Sequence, residues 1–175
     1  MQTRISLEMG APPRTVFDLA ADVSSWSRKL PHYRRSQVTG RFAGRVLVAF
    51  TALRPLGGPF GIPVGWRAIC WSDDTDPDDL QLHFSHVRGI TSGMRVTWHI
   101  RPIGDAGDEN GQLAASVVTI EHEFERPIPL VGTELIPWIV DRFFTHAIAT
   151  RTLERFRELA ERPEPESSLA TNFLS

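Results

Sequence analysis

The chain has 175 residues, with 19 Lys and Arg against 21 Asp and Glu for a net charge of −2. That length suits one domain with a sizeable core, and that balance gives no electrostatic basis for nucleic acid or an anionic membrane as the main partner. Cys70 is the only cysteine, which rules out an internal disulfide and a cysteine-rich zinc site. Lys29 is the only lysine, a bias toward Arg that reads as genomic composition. No apolar run of signal-peptide length opens the chain, and none approaches the roughly 20 apolar residues of a membrane helix. The expectation is a cytoplasmic protein.

From the N-terminus, Ile5, Leu7 and Met9 alternate with Arg4, Ser6 and Glu8, the pattern of a half-buried strand over Thr3–Met9. Ala11-Pro12-Pro13 breaks it, and Pro13 suits a first helical turn. Val16, Phe17, Leu19, Ala20 and Val23 then predict a helix over Pro13–Asp22. A second short helix is expected over Ser24–Leu30, with Ser24 as N-cap and Pro31 as its stop.

From Tyr33 the period becomes two. Strands are predicted over Arg34–Phe42, Arg45–Leu53, Val64–Ser72, Gln81–Val87, Met94–Ile100 and Leu113–Phe124. The connections carry Gly, Pro and Asp. Between Pro55 and Pro63, PLGGPFGIP is expected to form a mobile lid or entrance around Phe60, or a loop whose apolar residues pack on a neighbour. The acidic run Asp73–Asp79 lacks the glycine and terminal glutamate of a calcium loop and reads as solvated.

The stretch Leu80–Ile100 is the centre of the pattern. Leu80, Leu82 and Phe84 share a face with Met94, Val96, Trp98 and Ile100 across a Gly-bearing turn. Continued alternation brings His86 and Arg88 onto that same face, as at the rim of a cavity. A bulge there would re-aim both side chains.

After Arg126-Pro127-Ile128-Pro129, apolar residues recur at helical spacing from Thr133 to Glu161. This predicts an amphipathic helix of roughly 25–28 residues and ~40 Å, long enough to cross a sheet. Leu153, Phe156 and Ala149 fall on its core side, with Phe143 and His146 one to two turns earlier, bordering a cavity. Residues 1–162 read as a single ligand-binding domain, and 163–175 as a disordered tail.

Consecutive strands with short loops pair antiparallel. The reading is an α+β fold: a seven-stranded antiparallel sheet wrapped around a long C-terminal helix, with two short helices after the first strand. The segments Ala21-Asp22-Val23-Ser24-Ser25-Trp26, Leu30-Pro31-His32-Tyr33-Arg34, Val87-Arg88-Gly89, Gly93-Met94-Arg95-Val96-Thr97-Trp98 and Phe143-Phe144-Thr145-His146 carry a resemblance to the START/SRPBCC helix-grip superfamily, in its polyketide cyclase/dehydrase-like branch. The resemblance implies an internal cavity for a hydrophobic, aromatic or polyketide-like molecule, and a cofactor-independent aldol cyclisation with dehydration. The runner-up is a non-catalytic lipid or quinone carrier on the same fold, and a third reading is an interaction module whose cavity is vestigial. The resemblance also implies a substrate delivered by an acyl carrier protein, to a monomer or homodimer.

By motif position the resemblance implies Arg88 and Tyr33 as catalytic candidates, and the alternation of the Leu80–Phe84 strand adds His86. An arginine suits the polarising role because it stays charged and offers several donors; Tyr or His suits proton transfer. Trp26, His32, Phe60, Trp66, Arg67, Phe84, Trp98, Arg142, Phe143 and His146 are the candidate ligand contacts, with Arg67 and Arg142 alternatives for a second pocket arginine. Of these, His32 is expected to face outward, and Trp66 and Trp98 are cavity wall or plain core. His122, alternating with Val118, Ile120 and Phe124, reads as a satisfied core histidine. His86, His122 and His146 lack the short spacing of a zinc triad, so no metal is expected. No Gly-rich phosphate loop is present.

Overall fold

The computed structural model describes residues 2–55, 61–89, 91–104, 115–124 and 146–162. Strand β1 (Gln2–Met9) is followed by α1 (Pro13–Ala21), a single 3-10 turn (Val23–Ser25) and α2 (Trp26–Lys29). Six further strands follow: β2 (Tyr33–Phe42), β3 (Arg45–Pro55), β4 (Gly61–Asp73), β5 (Leu80–Gly89), β6 (Met94–Pro102) and β7 (Ser116–Phe124). Helix α3 (His146–Ala160) ends the described chain. The strands form one antiparallel sheet in the order β1-β7-β6-β5-β4-β3-β2. Strands β2 to β7 thus meander in sequence, and only β1 crosses over, to pair with β7.

Alternation decides the two faces. Phe84 pairs with Val96 and Val96 with His122, while Leu82 pairs with Trp98 and Trp98 with Ile120. All six are buried, and they form the inner face, over which α1 and α3 pack. Leu153 and Phe156 are almost wholly buried, at 1% and 0% exposure, so the core side of the last helix is where its spacing put it. Trp26 is the centre of this core. Its ring lies 5.3 Å from Tyr33, 5.5 Å from Phe84 and 5.7 Å from each of Phe50, Trp98 and Phe156. Its Nε1–H donates to the Ala20 carbonyl at 2.9 Å, satisfying its polar atom inside the core.

The outer face is polar. There Asp79 accepts from Gln81 Nε2 at 2.7 Å, from Arg101 Nε at 3.0 Å and lies 3.0 Å from His99 Nδ1. Burial works to raise the Asp79 pKa, but these hydrogen bonds outweigh it and the net shift is downward.

Four expectations need correction, two here and two, Arg88 and His32, at the site. Ser24 does not cap the second helix; its hydroxyl donates to the Asp22 carboxylate at 2.6 Å, and the segment opens as a 3-10 turn before the helix proper. The Pro55–Pro63 stretch is not all loop. Gly61 to Pro63 extend β4, with Ile62 opposite Arg54 and Pro63 opposite Leu53. Pro63 is tolerated because β4 has not yet reached its other neighbour there, β5 joining only at Trp66. Residues 56–60, with Phe60, lie outside the described residues, as do 133–145 of the predicted helix and the tail from 163.

Candidate ligand cavity

Between the inner face of the sheet and α3 lies a cavity of about 70 Å³. Its walls are mainly aromatic, from Trp26, Phe50, Trp66, Phe84 and Trp98, with Ile148 and Ala149 contributed by α3. Ligand pockets for drug-sized molecules run to roughly 300–1,000 Å³, so a large ligand requires lining side chains to shift. Polar groups enter the wall at Tyr33, His86, Thr91, His122 and Thr152. Among the described residues, no charged side chain lines it.

Each polar group is set by its strand. His86 follows Phe84 on the inner face of β5, opposite Ala68. Its ring stacks on Trp66 at 5.9 Å and 14°, and its Nδ1 lies 2.6 Å from Thr91 Oγ1 in the following turn. Burial, with a smaller contribution from nearby His122, pushes its pKa down to about 3. His122 is two strands away on β7; burial and His146 lower its pKa to about 4. Both imidazoles are therefore neutral at physiological pH. Tyr33 is deeply buried, and burial raises its pKa well above the ordinary phenol value. Cys70, behind the wall, is pushed up to about 12 by burial and is an unreactive thiol.

Thr152 ties the sheet to α3. Its hydroxyl donates to the Ile148 carbonyl at 2.7 Å. The same oxygen lies 2.9 Å from His32 Nε2 and hydrogen-bonds Tyr33. Since the threonine proton is committed to Ile148, its oxygen accepts from His32, which assigns the His32 proton to Nε2. Burial, then the positive charge of Arg151, lowers the His32 pKa to about 4.

The sequence candidates divide as follows. Trp26, Tyr33, Trp66, Phe84, His86 and Trp98 line the cavity. His32 does not face outward: it is buried behind Tyr33, 5.0 Å ring to ring, and held by Thr152. His146 is exposed and sits close enough to His122 to influence its charge. Arg142, Phe143 and Phe60 lie outside the described residues.

Arg88 is on the wrong face for a cavity cation. The β4–β5 register shifts between Arg67 and Ala68, so that Arg67 faces Arg88 while Ala68 faces His86. Val87 is the extra, unpaired residue of this bulge and is 46% exposed. One added residue reverses the alternation beyond it. Arg88 and Arg67 consequently both stand exposed on the outer face.

The sequence reading did not include His122, Thr91 or Thr152 among the ligand contacts. For His122 the alternation already placed it inward, but its lack of a hydrogen-bond partner was invisible. Thr152 lies at helical spacing with buried Ile148 and Phe156, so its inward aim was readable. Its polar partners come from elsewhere in the chain. Among the described residues, no three His, Cys, Asp or Glu side chains gather as a metal site, and no helix is long and apolar enough to cross a membrane.

The comparisons agree with this architecture. A family model described as polyketide cyclase / dehydrase and lipid transport matches residues 9–149. No curated protein matches the chain. Among solved structures, the chain is similar to the Zhui aromatase/cyclase of a Streptomyces species, with a TM-score of 0.69, 15% identity and coverage of 93% of this chain and 94% of that one. A Thermus thermophilus protein gives a TM-score of 0.67 at 21% identity, covering 90% of this chain and 95% of that one. A START superfamily protein of Mycobacterium smegmatis gives 0.56 at 11% identity, covering 90% and 98%. At these identities the likeness establishes the helix-grip fold.

Proposed function

Because the chain belongs to the polyketide cyclase/dehydrase and lipid transport family, we propose that its cavity binds a hydrophobic aromatic or polyketide-like molecule and promotes aldol cyclisation followed by loss of water. The observation that carries this reading is the convergence of Tyr33, His86 and His122 in a mainly apolar wall whose other polar members are Thr91 and Thr152. A plain carrier has no need of three buried ionisable groups in its lining, each of which costs desolvation.

The chemistry follows from what those groups are. With Arg88 outside, carbonyl polarisation falls to neutral donors: an imidazole N–H, or the Tyr33 hydroxyl if it turns from Thr152. A dry site strengthens such hydrogen bonds. A neutral imidazole takes the proton from the carbon between two carbonyls, and the resulting carbon nucleophile attacks a second carbonyl carbon. The alkoxide so formed is protonated. Removal of the next α-proton then expels that hydroxyl as water. His86 is the group proposed to move these protons. Its low basicity makes its conjugate acid a ready donor to the leaving hydroxyl. On this reading the substrate arrives on an acyl carrier protein.

A second reading is a non-catalytic carrier of a lipid or quinone, favoured by the absence of any charge among the described lining residues. A soluble poly-β-ketone thioester distinguishes the two. Cyclised, dehydrated product above the protein-free rate, lost in His86→Phe while ligand binding persists, supports the enzyme. Tight binding with no product above background supports the carrier.

A further inference from the structure

Among the described residues of the cavity wall, His122 carries a ring nitrogen that is fully buried and has no hydrogen-bond partner. It sits on the inner face of β7 between Val96 of β6 and Thr3 of β1. Along its own strand the inward neighbours are Ile120 and Phe124, both buried. The residue is 5% exposed, and its Nδ1 is buried with no hydrogen-bond partner. Elsewhere in the wall His86 Nδ1 is held by Thr91, and Thr152 by Ile148 and His32. An unpaired polar atom in a native interior is rare and costly, and where one persists a missing partner is the ordinary explanation.

The chemistry of that partner can be narrowed. The imidazole is neutral, so Nδ1 is either a donor or an acceptor according to tautomer. A hydroxyl serves both cases, because it donates and accepts. A carboxylate or an ammonium would bring a charge into a wall that, among the described residues, holds no counter-ion. The surrounding rings demand that the rest of the ligand be apolar.

We propose that, when the lining shifts to admit a ligand, His122 Nδ1 receives the hydroxyl of a neutral enolic or phenolic ring, making this residue the element that selects such a ring over a hydrocarbon of the same shape. This rests on the reading that the cavity holds a hydrophobic ligand. It adds a specificity placed on β7, apart from the proton-moving role of His86.

Three single-ring probes test it on the full chain: phenol, toluene of nearly the same shape, and benzoate. Affinities are read by calorimetry, and imidazole 15N shifts by NMR. Phenol is expected to bind about tenfold more tightly than toluene, the order of one hydrogen bond gained by a buried group, and benzoate more weakly than either. Phenol, but not toluene, should move the His122 Nδ1 resonance. In His122→Leu the phenol preference should collapse to near unity while toluene still binds. Equal affinities in the wild-type protein, or a preference that survives in His122→Leu, overturn the assignment while leaving hydrophobic binding intact. Failure of both phenol and toluene to bind overturns the binding reading itself, and this inference with it. Should His122→Leu not fold, the wild-type 15N shift decides alone: a His122 signal unmoved by bound phenol overturns the assignment.

Discussion

Gly89 lies directly opposite Trp66, and a Cβ placed on Gly89 would stand 2.9 Å from Trp66 Cα and 2.5 Å from the Gly65 carbonyl oxygen. Its φ of +99° is also one that side chains disfavour. Gly89→Ala must therefore push β5 away from β4 where both flank the cavity. The backbone strain alone should cost roughly 1–3 kcal/mol, read as a lower denaturant midpoint. Gly93→Ala is the control: its φ of +89° is similar, but nothing lies within 4 Å of the new Cβ. Equal losses from both substitutions would show that the close approach to Trp66 is unimportant.

Arg88→Ala should leave ligand affinity within about twofold and stability within about 0.5 kcal/mol, as for an ordinary surface site. A cavity cation would behave otherwise, since one lost oxyanion donor costs about 10²–10³ in rate. Because Arg88 faces Arg67 across the ladder, its removal also relieves a like-charge pair. Calorimetric titration with a hydrophobic probe, alongside thermal melting, checks both statements. A hundredfold loss of affinity would return Arg88 to the site.

Thr152→Val keeps the branched shape and removes the hydroxyl that joins His32, Tyr33 and Ile148. Buried His32 then loses its acceptor, at about 1–3 kcal/mol for a group left unpaired. Thr152→Ser should recover most of the loss. Urea unfolding of the three proteins measures it. A valine variant as stable as the serine variant would mean the network contributes nothing.

Stability should fall as the solution is acidified from about pH 6.5. Burial lowers His86 to about 3 and His122 and His32 to about 4, with His122, His146 and Arg151 respectively adding to the effect. In the unfolded chain all three bind protons near their ordinary value of about 6.5. Between those limits the unfolded state holds more protons than the folded one, so the unfolding free energy decreases with decreasing pH. Above about pH 6.5 these groups add no slope. Melting temperature recorded from about pH 8 to pH 4 should be level and then decline, and the decline should be shallower in His86→Phe. A flat profile down to about pH 4.5 would show that these histidines are not buried neutral.

The fold was legible where side-chain period and burial coincide. Leu80, Leu82 and Phe84 with Met94, Val96, Trp98 and Ile100 define one inner face, and the structure pairs Leu80 with Ile100, Leu82 with Trp98 and Phe84 with Val96. Period counting fails at a bulge, because the extra residue at Val87 leaves no mark in the pattern while it turns Arg88 outward. His32 was misread for a different reason. Nothing local to Pro31-His32-Tyr33 indicates burial; its partner, Thr152, is 120 positions away. His122 shows the same limit from the other side. Alternation aims it inward, yet only the surrounding three-dimensional arrangement reveals that its Nδ1 meets no donor or acceptor.

The single crossover of the sheet bears on how the chain is made. Among the described residues, strand β1 pairs with β7 alone, with Gln2 opposite Glu123 and Met9 opposite Ser116. On a ribosome adding about 5–20 residues per second, β1 waits on the order of 5–25 s for that partner to be synthesised. Strands β2 to β6 can meanwhile zip up neighbour by neighbour, because each pairs with the next in sequence. Docking of β1 is therefore the late event of biogenesis. Its charged alternate positions, Arg4 and Glu8, are suited to keeping this waiting strand from joining another nascent chain.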